Sequence, residues 1–300
     1  MNMVKLEING IPVEVPAGTT ILNAAKQVQV KIPTLCYHPD LSPWAACGIC
    51  IVRVVGSPKL LRACCTEVAP GMKIVTHDPE IVQIRRSVLE LILSTHPNDC
   101  LQCPRNGNCE LQTLAEEYGV RTRRYQGEKS TCHLDVSSPA LERDPAKCIL
   151  CGKCVRTCAA LPERSVLSFA GRGFMTKIAA DLDQTLEAST CVSCSRCVVA
   201  CPVGALIDRR QREKRVRAFS AETTTVKCKQ CDYGCEFEVL QANEARVVRP
   251  KAPSGGRPLC LTGRLRAEIE YAGDPKTPYL KRETDKGRKF ERVTWSEALG

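Results

Sequence analysis

The chain has 300 residues, of which 21 are cysteine, and a formal net charge of +10. Its N-terminus lacks the order of basic, apolar and small residues typical of a secretory signal, and no apolar run approaches the roughly 18 residues of a membrane span. We therefore expect the thiols in a reducing cytoplasm, where close cysteine pairs more often bind metal than form disulfides. Aromatic residues make up only 4% and basic residues are spread along the chain, which argues against nucleic-acid binding.

Residues 1–78 show the pattern of a small β-grasp domain. Two alternating runs, Val4–Ile8 and Ile11–Val15, flank an Asn-Gly dipeptide that favours a tight hairpin turn. Thr19 or Thr20 is then expected to cap a short amphipathic helix. Two further strands are predicted at 51–55 and 73–75.

The first cysteine group lies within this domain and comprises Cys36, Cys47, Cys50 and Cys64. A long loop, a CxxC pair and a distant fourth thiolate in a β-grasp frame suit a [2Fe-2S] cluster, in which each iron needs two thiolates. Four thiolates also satisfy tetrahedral zinc, which stays open as the alternative.

Residues 79–120 are predicted to form a second, helical domain. Asp78 and Pro79 provide a helix start, and a second helix is expected at 110–118. The apolar residues expected to pack on the neighbouring domain are Ile81, Ile84, Val88, Leu91 and Ile92.

The second ligand group lies between these helices and comprises His96, Cys100, Cys103 and Cys109. Three thiolates and an imidazole would hold a [4Fe-4S] cluster one unit less negative than one held by cysteines alone. A zinc site of the same composition, or a histidine without a ligand role, is the alternative.

Residues 138–210 contain an internal repeat. The pattern CxxCxxCxxxC occurs twice, starting at Cys148 and again at Cys191, which is typical of a two-cluster ferredoxin domain. In such domains the fourth cysteine of each run ligates the other cluster. One [4Fe-4S] centre is therefore expected on Cys148, Cys151, Cys154 and Cys201, and the other on Cys158, Cys191, Cys194 and Cys197.

The fifth group lies in residues 221–275 and comprises Cys228, Cys231, Cys235 and Cys260. It could form a zinc ribbon, but the preceding groups favour a further [4Fe-4S] cluster. Cys65 and Cys132 remain as structural or incidental thiols. Five such clusters would together carry roughly −9 to −10, so the positive charge of the chain is interpreted as compensation for buried anions.

The order of these groups resembles that of known electron-transfer proteins, and so does the segment 169–174 between the two ferredoxin runs. The first 220 residues resemble the N-terminal electron-transfer region shared by three classes of protein. These are the large subunit of cytoplasmic NAD-dependent formate dehydrogenases, the large iron–sulfur subunit of respiratory NADH dehydrogenase, and multi-cluster iron-only hydrogenases. The segment 228–264 looks like the first domain of a molybdopterin oxidoreductase, and the complete set of eight ferredoxin cysteines favours the formate dehydrogenase type.

This resemblance implies an α+β chain with a β-grasp [2Fe-2S] domain, a His/Cys3 [4Fe-4S] domain, a two-[4Fe-4S] ferredoxin domain and the start of a molybdopterin oxidoreductase domain. It further implies oxidation of formate to CO2 at molybdopterin in a C-terminal part. Electrons would pass to NAD through a flavin-containing, NAD(H)-binding iron–sulfur subunit, or to ferredoxin, within a hetero-oligomer. The alternatives are the large iron–sulfur subunit of an NADH dehydrogenase or hydrogenase complex, a stand-alone electron-transfer subunit, or a zinc-binding scaffold. No residue in this segment has the pattern of a general base or nucleophile.

Two features depart from the formate dehydrogenase pattern. Thr262 stands where that family commonly has a lysine between the last cluster and the pterin. Residues 276–300 resemble the entry into a pterin-binding domain, with Ser296 as the expected helix N-cap, but only one turn of helix follows. The chain is therefore interpreted as the N-terminal part of a longer polypeptide or as one piece of a split catalytic subunit.

Overall fold

The computed structural model describes residues 2–122, 124–129, 133–160, 165–216, 220–251, 261–272, 278–285 and 287–300. The chain divides into two compact units. The N-terminal unit contains residues 1–38, 42–95 and 110–128, and the C-terminal unit contains residues 39–41, 96–109 and 129–300. The α+β class predicted from the sequence is confirmed.

A mixed five-stranded sheet with three helices forms the N-terminal unit. Its strands follow the order β2-β1-β5-β3-β4, in which only the contact of β1 with β5 is parallel. The elements are β1 (Met3–Ile8), β2 (Ile11–Pro16), α1 (Ile21–Gln27), β3 (Ile51–Val54), β4 (Leu60–Arg62), β5 (Lys73–Val75), α2 (Pro79–Thr95) and α3 (Glu110–Glu117).

Local sequence accounts for the start of this sheet. Asn9 and Gly10 have φ values of 50° and 83°, so both adopt the left-handed conformation that a two-residue hairpin turn requires. Thr20 caps α1 by accepting a hydrogen bond from the backbone N–H of Asn23, at 3.3 Å. The inward side chains of the strands and α1 form an aliphatic core that includes the fully buried Ile8 and Val15. The predicted strands and capped helix are confirmed, and the short strand β4 was missed.

Helix α2 buries a face that overlaps only in part with the one predicted. Its start is as expected, because Asp78 Oδ1 accepts a hydrogen bond from Ile81 N at 2.7 Å. Ile81, Arg85 and Leu89 are buried one turn apart, whereas Leu91 is exposed. The predicted set of buried residues on α2 was therefore wrong in part. Arg85 lies at the centre of the buried face, and the polar atoms of its side chain form the hydrogen bonds described below.

The C-terminal unit is built from short antiparallel pairs and helices. Strand β6 pairs with β9, β7 with β8, and β13 with β14, and strands β10, β11 and β12 form a three-stranded sheet. Its elements are β6 (Leu141–Arg143), α4 (Lys153–Ala159), β7 (Leu167–Ala170), β8 (Lys177–Ala180), α5 (Arg196–Ala200), β9 (Leu206–Asp208), α6 (Arg209–Glu213), β10 (Glu222–Lys227), β11 (Glu236–Ala242), β12 (Ala245–Pro250), α7 (Leu261–Ala272), β13 (Tyr279–Thr284), β14 (Gly287–Arg292) and α8 (Trp295–Leu299).

The last helix begins two residues earlier than predicted. Thr294, not Ser296, is the N-cap of α8: its hydroxyl accepts from Glu297 N, and the Glu297 carboxylate accepts from Thr294 N. This reciprocal capping box satisfies two N-terminal N–H groups at once, which Ser296 could not do because it has no acidic partner three residues on. In the described parts of the chain, no helix has the length and apolarity needed to cross a bilayer.

Candidate metal centres

The first cysteine group comes together in the N-terminal unit. Cys36, Cys47 and Cys50 lie on the connection between α1 and β3, and Cys64 follows β4; Cys36, Cys50 and Cys64 are buried. Sulfur–sulfur hydrogen bonds join Cys36 to Cys47 and Cys64, and Cys50 to Cys64. The structure therefore brings all four predicted thiols of this group into one connected set.

Hydrogen bonds between these four thiols shift their pKa values in opposite directions. Hydrogen bonds from Cys47 and Cys64 lower the pKa of Cys36 to about 2, and a hydrogen bond from Cys64 lowers that of Cys50 to about 7. The same contacts raise the pKa of Cys47 and Cys64. Four thiolates this close would repel one another, and a cationic centre between them, as a [2Fe-2S] cluster would provide, would offset that repulsion.

A buried arginine holds the loop that carries this site. Arg85, on α2, is 1% exposed and donates to Ile49 O at 3.1 Å and to Ile51 O at 2.8 Å. A third bond, at 3.0 Å, reaches the hydroxyl of Tyr118. Since Ile49 lies within the Cys47–Cys50 pair, Arg85 fixes the backbone of the loop and places a positive charge near it.

The second group lies in the C-terminal unit. Cys103 N donates to Asp99 O at 2.9 Å, which closes a tight turn around Cys100. His96 is 8% exposed, and its Nδ1 lies 2.9 Å from Pro97 O, so the ring proton belongs on Nδ1. This tautomer leaves the lone pair of the buried Nε2 available to a metal.

The loop of this second group lies against the ferredoxin region. A Cβ placed on Gly204 would come within 2.7 Å of Cys103 Sγ, so the glycine permits this close approach. Arg105 Nη2 donates to Cys201 O at 3.3 Å. Lys147 Nζ lies 3.3 Å from Asp99 and 3.0 Å from Asp144. Two of the predicted groups are therefore neighbours within one unit.

The two ferredoxin runs repeat in backbone as well as in sequence. Leu150 and Ser193 have φ values of 53° and 55°, and Gly152 and Ser195 have values of 68° and 58°. Each first cysteine accepts an N–H bond from the residue two positions on, at 3.4 Å in the first run and 3.3 Å in the second. Short helix α4 then carries Cys154 and Cys158 of the first run, and α5 carries Cys197 of the second, with Cys201 as its C-cap.

Two cavities of about 30 Å³ each lie among these cysteines. The first is lined by Cys148, Cys151, Cys154 and Cys201, and the second by Cys158, Cys191, Cys194 and Cys197. Each cavity therefore takes three thiols from one run and the fourth from the other. The remaining lining is largely apolar.

Burial shapes the chemistry of these thiols. It raises the pKa of Cys148 to about 11 and that of Cys151 to about 12, with a further increase from the nearby Cys201. In the second cavity burial raises the pKa of Cys191 to about 11, partly opposed by the hydrogen bond from Ser193 N and, less strongly, by the Lys281 ammonium. Metal ligands must be deprotonated, so these donor sets fit a buried cationic cluster core and would otherwise stay neutral.

The fifth group is described in part. Cys228, Cys231 and Cys235 lie at the β10–β11 connection, where Cys228 N donates to Cys235 O at 2.7 Å. Cys260 lies outside the described residues, as does Cys132. Cys65 is exposed beside its ligand neighbour. In the described portion, no group of three His, Cys, Asp or Glu side chains is arranged to hold a single metal ion.

Sequence reasoning missed the buried cations around these sites. Arg85, Lys153, Arg196 and Arg264 are each at most 8% exposed. Arg85 could have been found, since it interrupts an apolar stripe at helical spacing. Lys153 and Arg196 occupy the same position of the two runs. For Arg264 the sequence offers no signal.

Comparison with known proteins identifies the chemistry. Residues 1–79 match a 2Fe-2S iron–sulfur cluster binding domain, and residues 85–124 match the NADH-ubiquinone oxidoreductase-G iron–sulfur binding region. Residues 147–205 match a 4Fe-4S dicluster domain. The chain is therefore an iron–sulfur protein, with clusters of both the 2Fe-2S and the 4Fe-4S type.

Similarity extends to several oxidoreductase subunits. The NADP-reducing hydrogenase subunit HndD of Solidesulfovibrio fructosivorans is 40% identical over 73% of the chain and 38% of its own length. The NADH-ubiquinone oxidoreductase 75 kDa subunit of Reclinomonas americana is 35% identical over 69% of the chain and 30% of its own length. NADPH-Fe(3+) oxidoreductase subunit alpha of Geobacter sulfurreducens is 32% identical over 99% of the chain and 34% of its own length. The chain thus spans about a third of the length of these relatives.

A solved structure supports the same conclusion. A crystal structure of NAD+-reducing [NiFe]-hydrogenase in the H2-reduced state has a chain with a TM-score of 0.65 and 29% identity. The similarity covers 69% of this chain and 87% of that one. The chain carries the N-terminal iron–sulfur region that NADH-quinone oxidoreductase G and 75 kDa subunits share with hydrogenase subunits.

Proposed function

We propose that the chain conducts electrons as the iron–sulfur region of an NADH- or NADPH-linked oxidoreductase or hydrogenase complex. The observation that carries the proposal is the pair of cavities that each take three cysteines from one run and one from the other. The relatives are named as subunits of NADPH-, NADP- and NADH-linked oxidoreductases, which supports the same class of partner.

The proposed ligands are the twenty side chains predicted from the sequence. They would hold one [2Fe-2S] and four [4Fe-4S] clusters, which when bound accept and release single electrons at nearly constant geometry. The work of the chain is to space these centres, exclude water from them and set their potentials. The close approach of Cys103 to Gly204 serves the first of these tasks.

We further propose that the native protein functions in the cytoplasm within a hetero-oligomer. A flavin-containing, NAD(H)-binding iron–sulfur subunit or a ferredoxin would exchange electrons with it. The solved relative belongs to an NAD+-reducing hydrogenase, which supports a nucleotide-linked partner.

Formate dehydrogenase is the second candidate. It rests on the loop of Cys228, Cys231 and Cys235 and on helix α7, which resemble the start of a molybdopterin oxidoreductase, with molybdopterin and Mo or W in a further domain. Thr262 lies exposed in the first turn of α7, where that family commonly has lysine. The relatives favour the NAD(P)H-linked or hydrogenase alternative over this candidate.

Anaerobic purification of the native complex separates the candidates. Full occupancy predicts about 18 irons per chain, from one two-iron and four four-iron clusters. We expect NADH or NADPH to bleach the visible iron–sulfur absorption within seconds. Bleaching by formate, with pterin released on acid denaturation, would favour the second candidate. Zinc without iron, or clusters reducible by dithionite but by none of these donors, would contradict the proposal.

A further inference from the structure

Two cations from outside the ferredoxin repeat contact the loop of its second run. Lys281, on β13, donates through Nζ to Cys191 O at 2.9 Å and also to Ser189 O. Its ammonium lies 5.5 Å from the centre of the Phe290 ring on the paired strand β14, which helps to fix its position. A positive charge is thus bonded to the backbone of a proposed cluster ligand.

Arg264, on α7, contacts the same loop from another element. Its Nη1 donates to Ser193 O at 3.3 Å and to the Ser195 hydroxyl. The side chain is 1% exposed and is held by Asp208 at 2.7 Å and Glu268 at 3.3 Å. Arg210 also pairs with Glu268, so the two arginines and two carboxylates balance in charge while Arg264 presents its guanidinium to the loop.

Among the described residues, no such contacts are seen at the equivalent positions of the first run. Ser195 corresponds to Gly152, which has no hydroxyl to accept a hydrogen bond from an arginine. The outside cation described there is Arg105, which reaches Cys201 O at 3.3 Å. The inner cations, Lys153 and Arg196, are common to both runs.

Among the described residues, Asp208 and Glu268 offset the charge of Arg264, and a further carboxylate, Asp181, lies beside the second loop. Asp181 Oδ2 accepts hydrogen bonds from the backbone N–H and the hydroxyl of Thr190, next to Cys191. The Lys281 ammonium bonds the carbonyl of Cys191, whereas Asp181 bonds the preceding residue and acts on the Cys158 thiol. Removal of the Lys281 charge would therefore make this loop less favourable to added negative charge.

We infer that Lys281 and Arg264 set the reduction potential of the centre held by Cys158, Cys191, Cys194 and Cys197, raising it above the value it would have without them. Reduction adds one negative charge to a buried cluster, and a nearby cation in a poorly screened setting favours the reduced form. The inference rests on the proposed ligation of this centre. It assigns to elements α7 and β13 a role in tuning a cluster that neither of them ligates.

The test uses the full chain, purified anaerobically, and an EPR-monitored redox titration. Cys194→Ser first identifies the signal of this centre by removing it. Lys281→Gln then removes the charge but keeps a hydrogen-bond donor for the two carbonyls. We expect the reduction equilibrium of this centre to shift about tenfold toward the oxidised form, which is about 59 mV for one electron.

Three further variants make the result specific. Lys281→Arg should restore the wild-type potential, and Arg264→Lys, which keeps its charge, should shift the potential less than Lys281→Gln does. Lys289→Met removes the same charge from an exposed position on β14 and should leave the potential unchanged. An unchanged potential in iron-replete Lys281→Gln, or an equal shift in Lys289→Met, would overturn the inference. Wild-type chain without iron would instead overturn the proposed function.

Discussion

The β-grasp region, residues 2–78, and the ferredoxin region, residues 133–216, differ in where their cysteine side chains lie. In the first, the thiols lie on loops beside a sheet whose core is mainly valine, leucine, isoleucine and alanine and also includes Cys50 and Cys64. In the second, the thiols line cavities between helices of seven and five residues and strands of three or four. We therefore expect the second region to depend on its metal for stability, and the first to be stabilised mainly by its aliphatic core.

Removal of iron should produce the largest difference between the two regions, measured as the protection of their amide hydrogens against exchange. With a chelator under anaerobic, reducing conditions, we expect amide hydrogens of β6 to β9 to lose more than about 100-fold of their protection. Those of β1 and β2 should change by less than about tenfold, because their hydrocarbon core remains. Hydrogen exchange with mass spectrometry measures both in one sample. Equal loss of protection in the two regions would refute the comparison.

Arg85→Met tests whether interactions between protein groups, rather than metal binding, dominate the stability of the N-terminal unit. The substitution leaves the carbonyls of Ile49 and Ile51 and the Tyr118 hydroxyl without their buried donor, at about 1–3 kcal/mol for each group left unsatisfied. We expect the free energy of unfolding to fall by about 3–5 kcal/mol in urea denaturation. The neighbouring Arg86→Met serves as the control and should cost less than about 1 kcal/mol.

Gly204→Ala tests the close approach of two proposed centres. The added methyl would meet Cys103 Sγ at 2.7 Å, and relief of such overpacking typically costs about 1–3 kcal/mol. We expect the EPR signal of the His/Cys3 centre to broaden or disappear, while the [2Fe-2S] signal in the same sample is unchanged. An unaltered His/Cys3 signal would show that this contact does not position the cluster.

Ile8→Val is expected to give the smallest change in the free energy of unfolding. Ile8 is fully buried in the β-grasp core, and loss of one methylene should cost about 0.5–1.5 kcal/mol. Iron content should not change, since no cysteine is displaced. Ile11→Val, at an exposed position of β2, is the matched control. A loss of iron in Ile8→Val would mean that the hydrocarbon core and the cluster site are coupled.

Much of this architecture could be predicted because short-range rules apply to it. The Asn9-Gly10 turn, the Thr20 cap and the helix starting after Asp78 each follow from neighbouring residues, and the repeat itself indicated which cysteines share a cavity. The strands β7 and β8 were not predicted, since runs of four residues carry little periodic signal. The N-cap of α8 was predicted at Ser296, although Glu297, three residues after Thr294, is the acidic partner that a capping box requires.

The cations that surround the sites could not be predicted in the same way. Arg264 and Lys281 lie 69 and 90 residues from the serine and cysteine they contact. Such pairs depend on how separate elements pack, which no local pattern encodes. The positive net charge indicated that cations would compensate buried clusters, but it did not say which ones.

Crossed ligation of the two ferredoxin centres is the central claim, and a pair of single substitutions tests it most directly. Cys201→Ser and Cys158→Ser are each compared, by iron analysis and EPR of the reduced full chain, with Cys151→Ser and Cys194→Ser. We expect Cys201→Ser to perturb the same signal as Cys151→Ser, and Cys158→Ser the same signal as Cys194→Ser. The opposite pairing, with each fourth cysteine serving its own run, would contradict the account.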